Sequence, residues 1–378
     1  MDRTLKTRIY PTDDQKALIE KTFGCARFIY NTALERQIEL HSQNKKFAGK
    51  YEMCRWIKEI KIDNGWLYDV DNSALQLSLA SLESAYKKFF KGAGFPKFKN
   101  KRKNEQSYST TSCVHVFPHF VRIPRAGKIY THELLDDSIV PNKITISRKA
   151  GLYFASIQYN DGKSPAEPNG NPSIGIDLGI KDLAILSDGV RIPNPCHVKK
   201  HEEKIKHLQR ELCRKTNGSN RYNKSVEKLS RAYLDLANCR KDYLHKATTM
   251  ITKSYGYVAI EDLAINNLVK NHNLAKAIYD CGWYEFRRQL EYKAKWYGSE
   301  IKVIGRFEPS SKMCSACGAI NKELTLKDRE WTCECGERHD RDLNAAKNIL
   351  AFSYAPMGSR EVYVENEKNL RKQAFKEA

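Results

Sequence analysis

Three carboxylates stand where regular elements of this chain are expected to end. Asp177 closes Ile174-Gly-Ile-Asp-Leu-Gly179, an apolar strand that runs into a glycine turn. Glu261 ends Tyr257-Val-Ala-Ile-Glu261, and Asp342 lies in Asp340-Arg-Asp-Leu-Asn-Ala-Ala346, at a helix start. Element ends can bring such groups together on one edge of a sheet. Converging carboxylates would hold Mg²⁺, a hard cation that takes oxygen ligands. Two such ions about 4 Å apart activate a water and stabilise the leaving oxygen in phosphodiester hydrolysis. Duller roles stay open at this point: a turn-forming Asp177, a solvated Glu261, an N-capping Asp342. Strand alternation sends Asp262 to the face opposite Glu261, and Asp340 could replace Asp342. Asp-x-Gly after a strand also occurs in actin-like ATPases and sugar kinases. DLGIKDLAI lacks their small hydroxyl residue, and no glycine-rich phosphate loops follow it.

Sulfur ligands sit just before the third carboxylate. Of 11 cysteines, four lie in Cys314-Ser-Ala-Cys317-Gly318 and Cys333-Glu-Cys335-Gly336, and the rest are scattered singly. Four thiolates suit a tetrahedral Zn²⁺, and a site closed by four protein ligands is structural. The second pair is one residue shorter than the usual knuckle, and His339 is near enough to replace one thiolate. The opening MDRTLKTRIYPTDD has no apolar signal core. An odd cysteine count without an export signal reads as a reduced, cytoplasmic protein with one metal site.

Charge is the third signal. The 378 residues hold 65 Lys or Arg against 45 Asp or Glu, a net +20. That excess points to a polyanionic partner. Residues 87–104 carry Lys87, Lys88, Lys91, Lys97, Lys99, Lys101, Arg102 and Lys103 and no acid, with Phe89, Phe90, Phe95 and Phe98 interleaved. Such cations neutralise phosphates, and Phe95 and Phe98 could stack on bases. The bland alternative is a solvated face, with Phe89 completing a helix stripe. Residues 199–246 hold 14 Lys or Arg against six acids. No apolar run approaches the ~18 residues of a membrane-spanning helix.

These residues need elements to position them. Thr4–Ile9 reads as a strand stopped by Pro11, and Thr12-Asp-Asp-Gln15 as a capping box. Leu18, Ile19, Phe23, Ala26, Ile29 and Ala33 then recur at helical steps. Ser73 is the expected cap of a helix striped by Leu75, Leu79, Leu82, Tyr86 and Phe89. Between Tyr108 and Tyr159 the runs VHVF, FVRIP, KITIS and LYFASIQY predict a small antiparallel sheet or barrel. The helices would then be inserted after its first strand. Residues 161–172, DGKSPAEPNGNP, read as a linker. SIGID, LAILS, YVAIE and IKVIG are strands of a second lobe. A charged helical hairpin fills about 199–254, a helix lies near 283–297, and another follows Asp342.

Together these motifs resemble the TnpB family, transposon-encoded RNA-guided DNA endonucleases related to compact type V CRISPR effectors. The resemblance covers nearly the whole chain. RIYPTDDQKALIEKTFGCARFIYNTALE resembles the family's opening, and LQLSLASLESAYKKFF with GFPKFKNKRK its next segment. GIDLGIKDLAILSDG, VAIEDLAINNL and HDRDLNAAKNIL resemble its split RuvC-like nuclease, and SSKMCSACG with WTCECG its zinc ribbon.

The resemblance implies an α+β chain of two lobes. One is a wedge-like β-barrel (1–10 and 91–160) with an inserted helical recognition domain (11–90). The other, after the linker, is an RNase H-like, RuvC-like nuclease domain (173–308 and 340–356) with a zinc ribbon (309–339) and a flexible tail (357–378). Asp177, Glu261 and Asp342 match catalytic Mg²⁺ ligands, and Cys314, Cys317, Cys333 and Cys335 match zinc ligands. Guide RNA and target DNA are the implied partners, with a short flanking motif read beside the paired target. Two rivals remain: a nuclease-dead guided repressor, although no carboxylate is lost, and an unguided nuclease or transposase. The basic stretches flank the nuclease core, so an anionic membrane no longer competes.

Overall fold

Strand β1 (Asp2–Tyr10) stops at Pro11, whose ring cannot donate to a sheet ladder. The structure, a computed structural model, describes residues 1–101, 106–306, 308–325 and 328–354. Two compact units divide the chain: Met1–Ser164 with Thr216–Arg231, and Pro165–Lys215 with the described residues from Ala232 on.

In the first unit, helix α1 (Asp13–Ser42) starts with the expected capping box. Thr12 Oγ1 accepts from Gln15 N at 3.4 Å, and Gln15 Oε1 accepts from Thr12 N at 3.0 Å. Ile19, Phe23, Ala26, Ile29 and Ala33 are buried, as their spacing requires. Helix α2 (Lys50–Asp63), which sequence reading did not mark, and α3 (Asn72–Phe89) complete the helical part. Leu75, Leu79, Leu82 and Tyr86 are buried on α3. Ser73 is not its cap: Asp71 holds that position, and the Ser73 hydroxyl instead lies 2.9 Å from Thr111 Oγ1.

Strands β2 (Gln106–Thr110), β3 (His115–Phe117), β4 (Phe120–Ile123), β5 (Gly127–Thr131), β6 (Pro141–Lys149) and β7 (Leu152–Asn160) join β1 in a sheet ordered β2-β6-β7-β1-β5-β4-β3. The helices are inserted after the first strand, as expected. The barrel is not: the sheet stays open, with β2 and β3 at opposite edges. Helix packing accounts for this. Ile19, Phe23 and Ala26 of α1 and Ala74 of α3 share one core with Tyr108, Val116, Ile129 and Ile144. Helices thus cover the inner face that a closing strand pair would otherwise shield.

The second unit is built on strands β8 (Ser173–Asp177), β9 (Asp182–Leu186) and β10 (Arg191–Pro193). Helices α4 (His197–Cys213) and α5 (Asn220–Ser254) follow, and the opening turns of α5 group with the first unit. Next come β11 (Tyr257–Glu261), α6 (Ile265–Leu268), α7 (His272–Cys281), α8 (Trp283–Tyr297) and β12 (Glu300–Ile304). Then come β13 (Glu330–Thr332), β14 (Arg338–Asp340) and α9 (Arg341–Tyr354). The main sheet is ordered β10-β9-β8-β11-β12, with β8, β11 and β12 parallel and β9 antiparallel to β8.

Alternation sorts this sheet's side chains onto two faces. Ile174, Ile176, Val258 and Ile260 pack with Leu244 and Ile251 of α5 and Phe286 and Leu290 of α8. Ala259 and Ile304 pack on the other face with Ile349 and Phe352 of α9. Among the described residues, no helix is long and apolar enough to cross a membrane.

Candidate active site

Asp177 and Glu261 end neighbouring parallel strands. The β8–β11 pairing runs to Ile176 opposite Ile260, one residue before each carboxylate. Both carboxylates therefore project on the α9 face, and Asp342 lies in the first turn of α9. Asp177 senses the other two. Asp177 is pushed up to about 7, first by burial, then by the charges of Asp342 and Glu261, against an opposing pull from Arg341. Burial also raises Glu261, opposed by a hydrogen bond from Ser310, whose Oγ lies 3.5 Å from Oε1. Asp342 accepts from Arg329 Nη1 and Arg341 Nη2, each at 3.2 Å. An oxygen-only set with surplus negative charge suits a hard divalent cation. A cleft of about 660 Å³ opens beside Glu261, with Leu178, Tyr279, Tyr284, Arg287 and Arg306 in its wall.

The two neighbouring acids have other work. Asp340 Oδ1 accepts from the amides of Asp342 and Leu343 at 3.1 and 2.9 Å, so Asp340 caps α9. Its Oδ2 takes Arg191 Nη2 at 2.8 Å. Asp262 turns to the α8 side, as alternation predicts, and pairs with Arg287 at 3.1 Å and Arg306 at 2.6 Å.

Sequence reading missed the residues that tie α9 to the site. Asn344 and Asn348, both buried, donate from Nδ2 to Met313 O at 2.7 and 2.6 Å. Asn348 also donates to Ser310 O at 2.7 Å, and Asn344 Oδ1 accepts from Ser315 N at 2.9 Å. The first knuckle and Ser310 are thereby fixed to the helix that carries Asp342. The Asn-x-x-x-Asn spacing, one helical turn, was the available signal. Arg341 and Arg329 offered none.

The four predicted cysteines come together. The sulfurs of Cys314, Cys317, Cys333 and Cys335 all lie within 4.8 Å of one another. Cys314–Cys335 is 3.8 Å and Cys317–Cys333 is 3.6 Å. A zinc–sulfur bond of about 2.3 Å in a tetrahedron puts sulfurs about 3.8 Å apart, so the donor set fits that ion. The four sulfurs group without His339, which is buried beside them with its Nε2 3.0 Å from Cys314 Sγ. That is the place of a group that orients a ligand.

The basic stretch is surface, as expected, but unevenly available. Lys87 pairs with Glu83 at 3.1 Å. Phe95 lies edge-on to Tyr86 and Phe89, and Lys99 Nζ sits 4.0 Å over the Tyr30 ring. Lys88, Lys91, Lys97, Phe98 and Lys101 are exposed. Arg102 and Lys103 lie outside the described residues, as does the expected tail.

A family profile described as "Probable transposase", OrfB_IS605, matches residues 156–272. A "Cas12f1-like, TNB domain" profile matches residues 283–349, which hold the cysteine cluster and most of α9. A "Putative RNA-guided DNA endonuclease" of Streptomyces pristinaespiralis is 37% identical over 93% of this chain and 90% of its own length. The chain belongs to the TnpB family. A second TnpB relative, "Putative RNA-guided DNA endonuclease InsQ" of Escherichia coli (strain K12), is 33% identical over 95% of this chain and 94% of its own. The protein in a solved Cas12f1-sgRNA-target DNA complex shares the fold at a TM-score of 0.56. Its identity is 14%, over 93% of this chain and 98% of that one. A "Helix-turn-helix domain" profile also matches residues 1–46, where this TnpB-family chain has β1 and one 30-residue helix.

Proposed function

We propose that this chain is an RNA-guided, Mg²⁺-dependent endonuclease that cleaves DNA paired to a bound guide RNA beside a short flanking motif. The observation that carries the reading is the convergence of Asp177, Glu261 and Asp342: burial, and then the charges of the other two, push Asp177 up to about 7. Clustered charge that opposes its own ionisation is a mark of a functional site. The relatives' printed names, over nearly the whole chain, supply the guide and the DNA.

Asp177, Glu261 and Asp342 are the groups that would hold magnesium. When bound there, magnesium supplies an activated water and a counter-charge for the leaving oxygen. The chain's own part is positional. Parallel strand ends fix Asp177 and Glu261, and the capped start of α9 fixes Asp342. Ser310 holds one oxygen of Glu261, and Arg341 tempers the negative charge.

In this reading residues 173–308 with 340–356 form an RNase H-like, RuvC-like domain, and 309–339 a zinc ribbon that braces α9 through Asn344 and Asn348. Residues 1–10 with 91–160 act as the wedge-like domain, 11–90 as the recognition helices and 161–172 as the linker. The cations of 87–104 and 199–246 hold RNA and heteroduplex by their phosphates.

The test uses full-length protein purified from cells that carry its native locus. Its bound RNA is sequenced, and the complex is given a plasmid target matched to that RNA, with Mg²⁺ or with EDTA. One discrete RNA and cutting only with Mg²⁺ are expected. Cutting without RNA would return the unguided alternative.

A further inference from the structure

The outer face of the first unit's sheet carries a row of aromatic rings that the proposed activity does not use. Tyr10 and Tyr130 are opposite one another on β1 and β5, and Tyr130 is opposite Phe120 on β4. Ring centroids are 6.0 Å apart for Tyr10–Tyr130 and 5.8 Å for Phe120–Tyr130, and His119 continues the row at 6.3 Å. These are not core residues: Tyr10, Phe120 and Tyr130 are 40%, 39% and 44% exposed. Their inward neighbours Ile9, Val121 and Ile129 are buried, so alternation fixes the row outward.

The same face is basic. Lys6 and Arg8 precede Tyr10 on the outward side of β1, Arg122 faces Lys128 across β4 and β5, and Arg8 lies 4.8 Å over the Tyr10 ring. Within these three strands the only acid is Asp2, at the far end of β1.

We propose that this face is a stacking platform for unpaired bases of RNA. Exposed rings on a sheet take base faces, and the flanking cations take the phosphates. Duplex DNA offers no base face to such a row. The outward Ser156, opposite Lys6, and Gln158, opposite Thr4, can each donate to and accept from a 2′-hydroxyl. The inference leans on the proposed function only in having RNA as a partner.

The test measures anisotropy of a fluorescein-labelled oligouridylate on the full-length chain. Tyr130→Ala should weaken binding about tenfold or more, and Tyr130→Phe should keep it. Phe120→Ala is the second variant, and should also weaken it. Tyr51→Ala, at a ring 86% exposed on α2, is the control. Lys128→Ala should lower the slope of log affinity against log salt by about 0.7. Wild-type affinity in both Tyr130→Ala and Phe120→Ala overturns the platform, and so does equal or tighter binding of oligodeoxyuridylate. The readout needs no cleavage. A chain that binds through Tyr130 but carries no native RNA keeps this inference and loses the guided reading. A chain that cuts with its guide, yet binds oligouridylate equally well as Tyr130→Ala and Phe120→Ala, does the reverse.

Discussion

A Cβ placed on Gly175 would lie 2.1 Å from the carbonyl oxygen of Ala346, and 2.8 Å from the amide nitrogen of Leu350. β8 and α9 therefore meet backbone to backbone. Asp177 is two residues along the strand, on the same face as Gly175. Asp342 is one helical turn before Ala346, on the same side of α9. The missing side chain on the strand and the small one on the helix let the two carboxylates approach.

Gly175→Ala should therefore cost about 2–3 kcal/mol, because the added methyl meets backbone that cannot rotate away. Denaturant unfolding checks this. Cleavage should fall further than stability, since any shift of α9 moves Asp342. An unchanged midpoint would mean that the helix has room to retreat.

Asp340 and Asp342 should separate cleanly. Asp340→Ala removes the α9 cap and should cost about 1 kcal/mol while leaving measurable cutting. Asp342→Ala should leave the melting temperature close to wild type and abolish cutting. Melting curves and cleavage assays on the pair would detect a reversal, which would make Asp340 the ligand.

The cysteine cluster should bind one zinc ion per chain. Metal analysis of the purified protein measures this directly. Cys314→Ser should release the metal and destabilise the chain. His339→Ala should weaken metal affinity roughly ten- to a hundredfold, as removal of a ligand-orienting group does.

Lys293 gives a pH signature in a part of the second unit away from both sites. It is buried, and its Nζ donates to His245 O, Thr248 Oγ1 and Thr249 Oγ1 at 2.7, 2.8 and 2.7 Å. Burial pulls it down to about 8, against a pull upward from Glu285. The folded state thus gives up its proton at lower pH than the unfolded chain, and this group's contribution to stability rises between pH 8 and about 10.5. Stability of the wild type relative to Lys293→Met should climb by about 2 kcal/mol over that window. A flat difference would mean that Lys293 titrates normally.

Much of the site was legible before the fold. IGID and VAIE end apolar runs in acids, and a buried strand rarely closes on a carboxylate without a use for it. Paired thiols announce their own geometry. The choice between Asp340 and Asp342 was harder, because both flank a helix start and only the amide contacts assign the cap. Sheet closure was misread. Strand periodicity marks which side chains face inward, and says nothing about whether a strand or a helix covers them. Here Phe23 and Ala26 of α1 do so. β2 and α2 were missed: QSYST has little apolar alternation, and KYEMCRWIKEIKID buries only Met53, Ile57, Ile60 and Lys61. The Tyr10–Tyr130–Phe120 row was invisible because register sets Tyr10 beside a hairpin more than a hundred residues away.

Asp177, Glu261 and Asp342 are expected to act as one metal-dependent centre. The most direct measurement is cleavage and target binding by the guide-loaded complex, wild type against Asp177→Ala, Glu261→Ala and Asp342→Ala. Each single variant should bind target as the wild type does and lose about a thousandfold or more in cutting rate. Combining two should add little, because the residues work as a unit. A variant that still cuts at the wild-type rate with Mg²⁺ would remove its residue from the site and contradict the account.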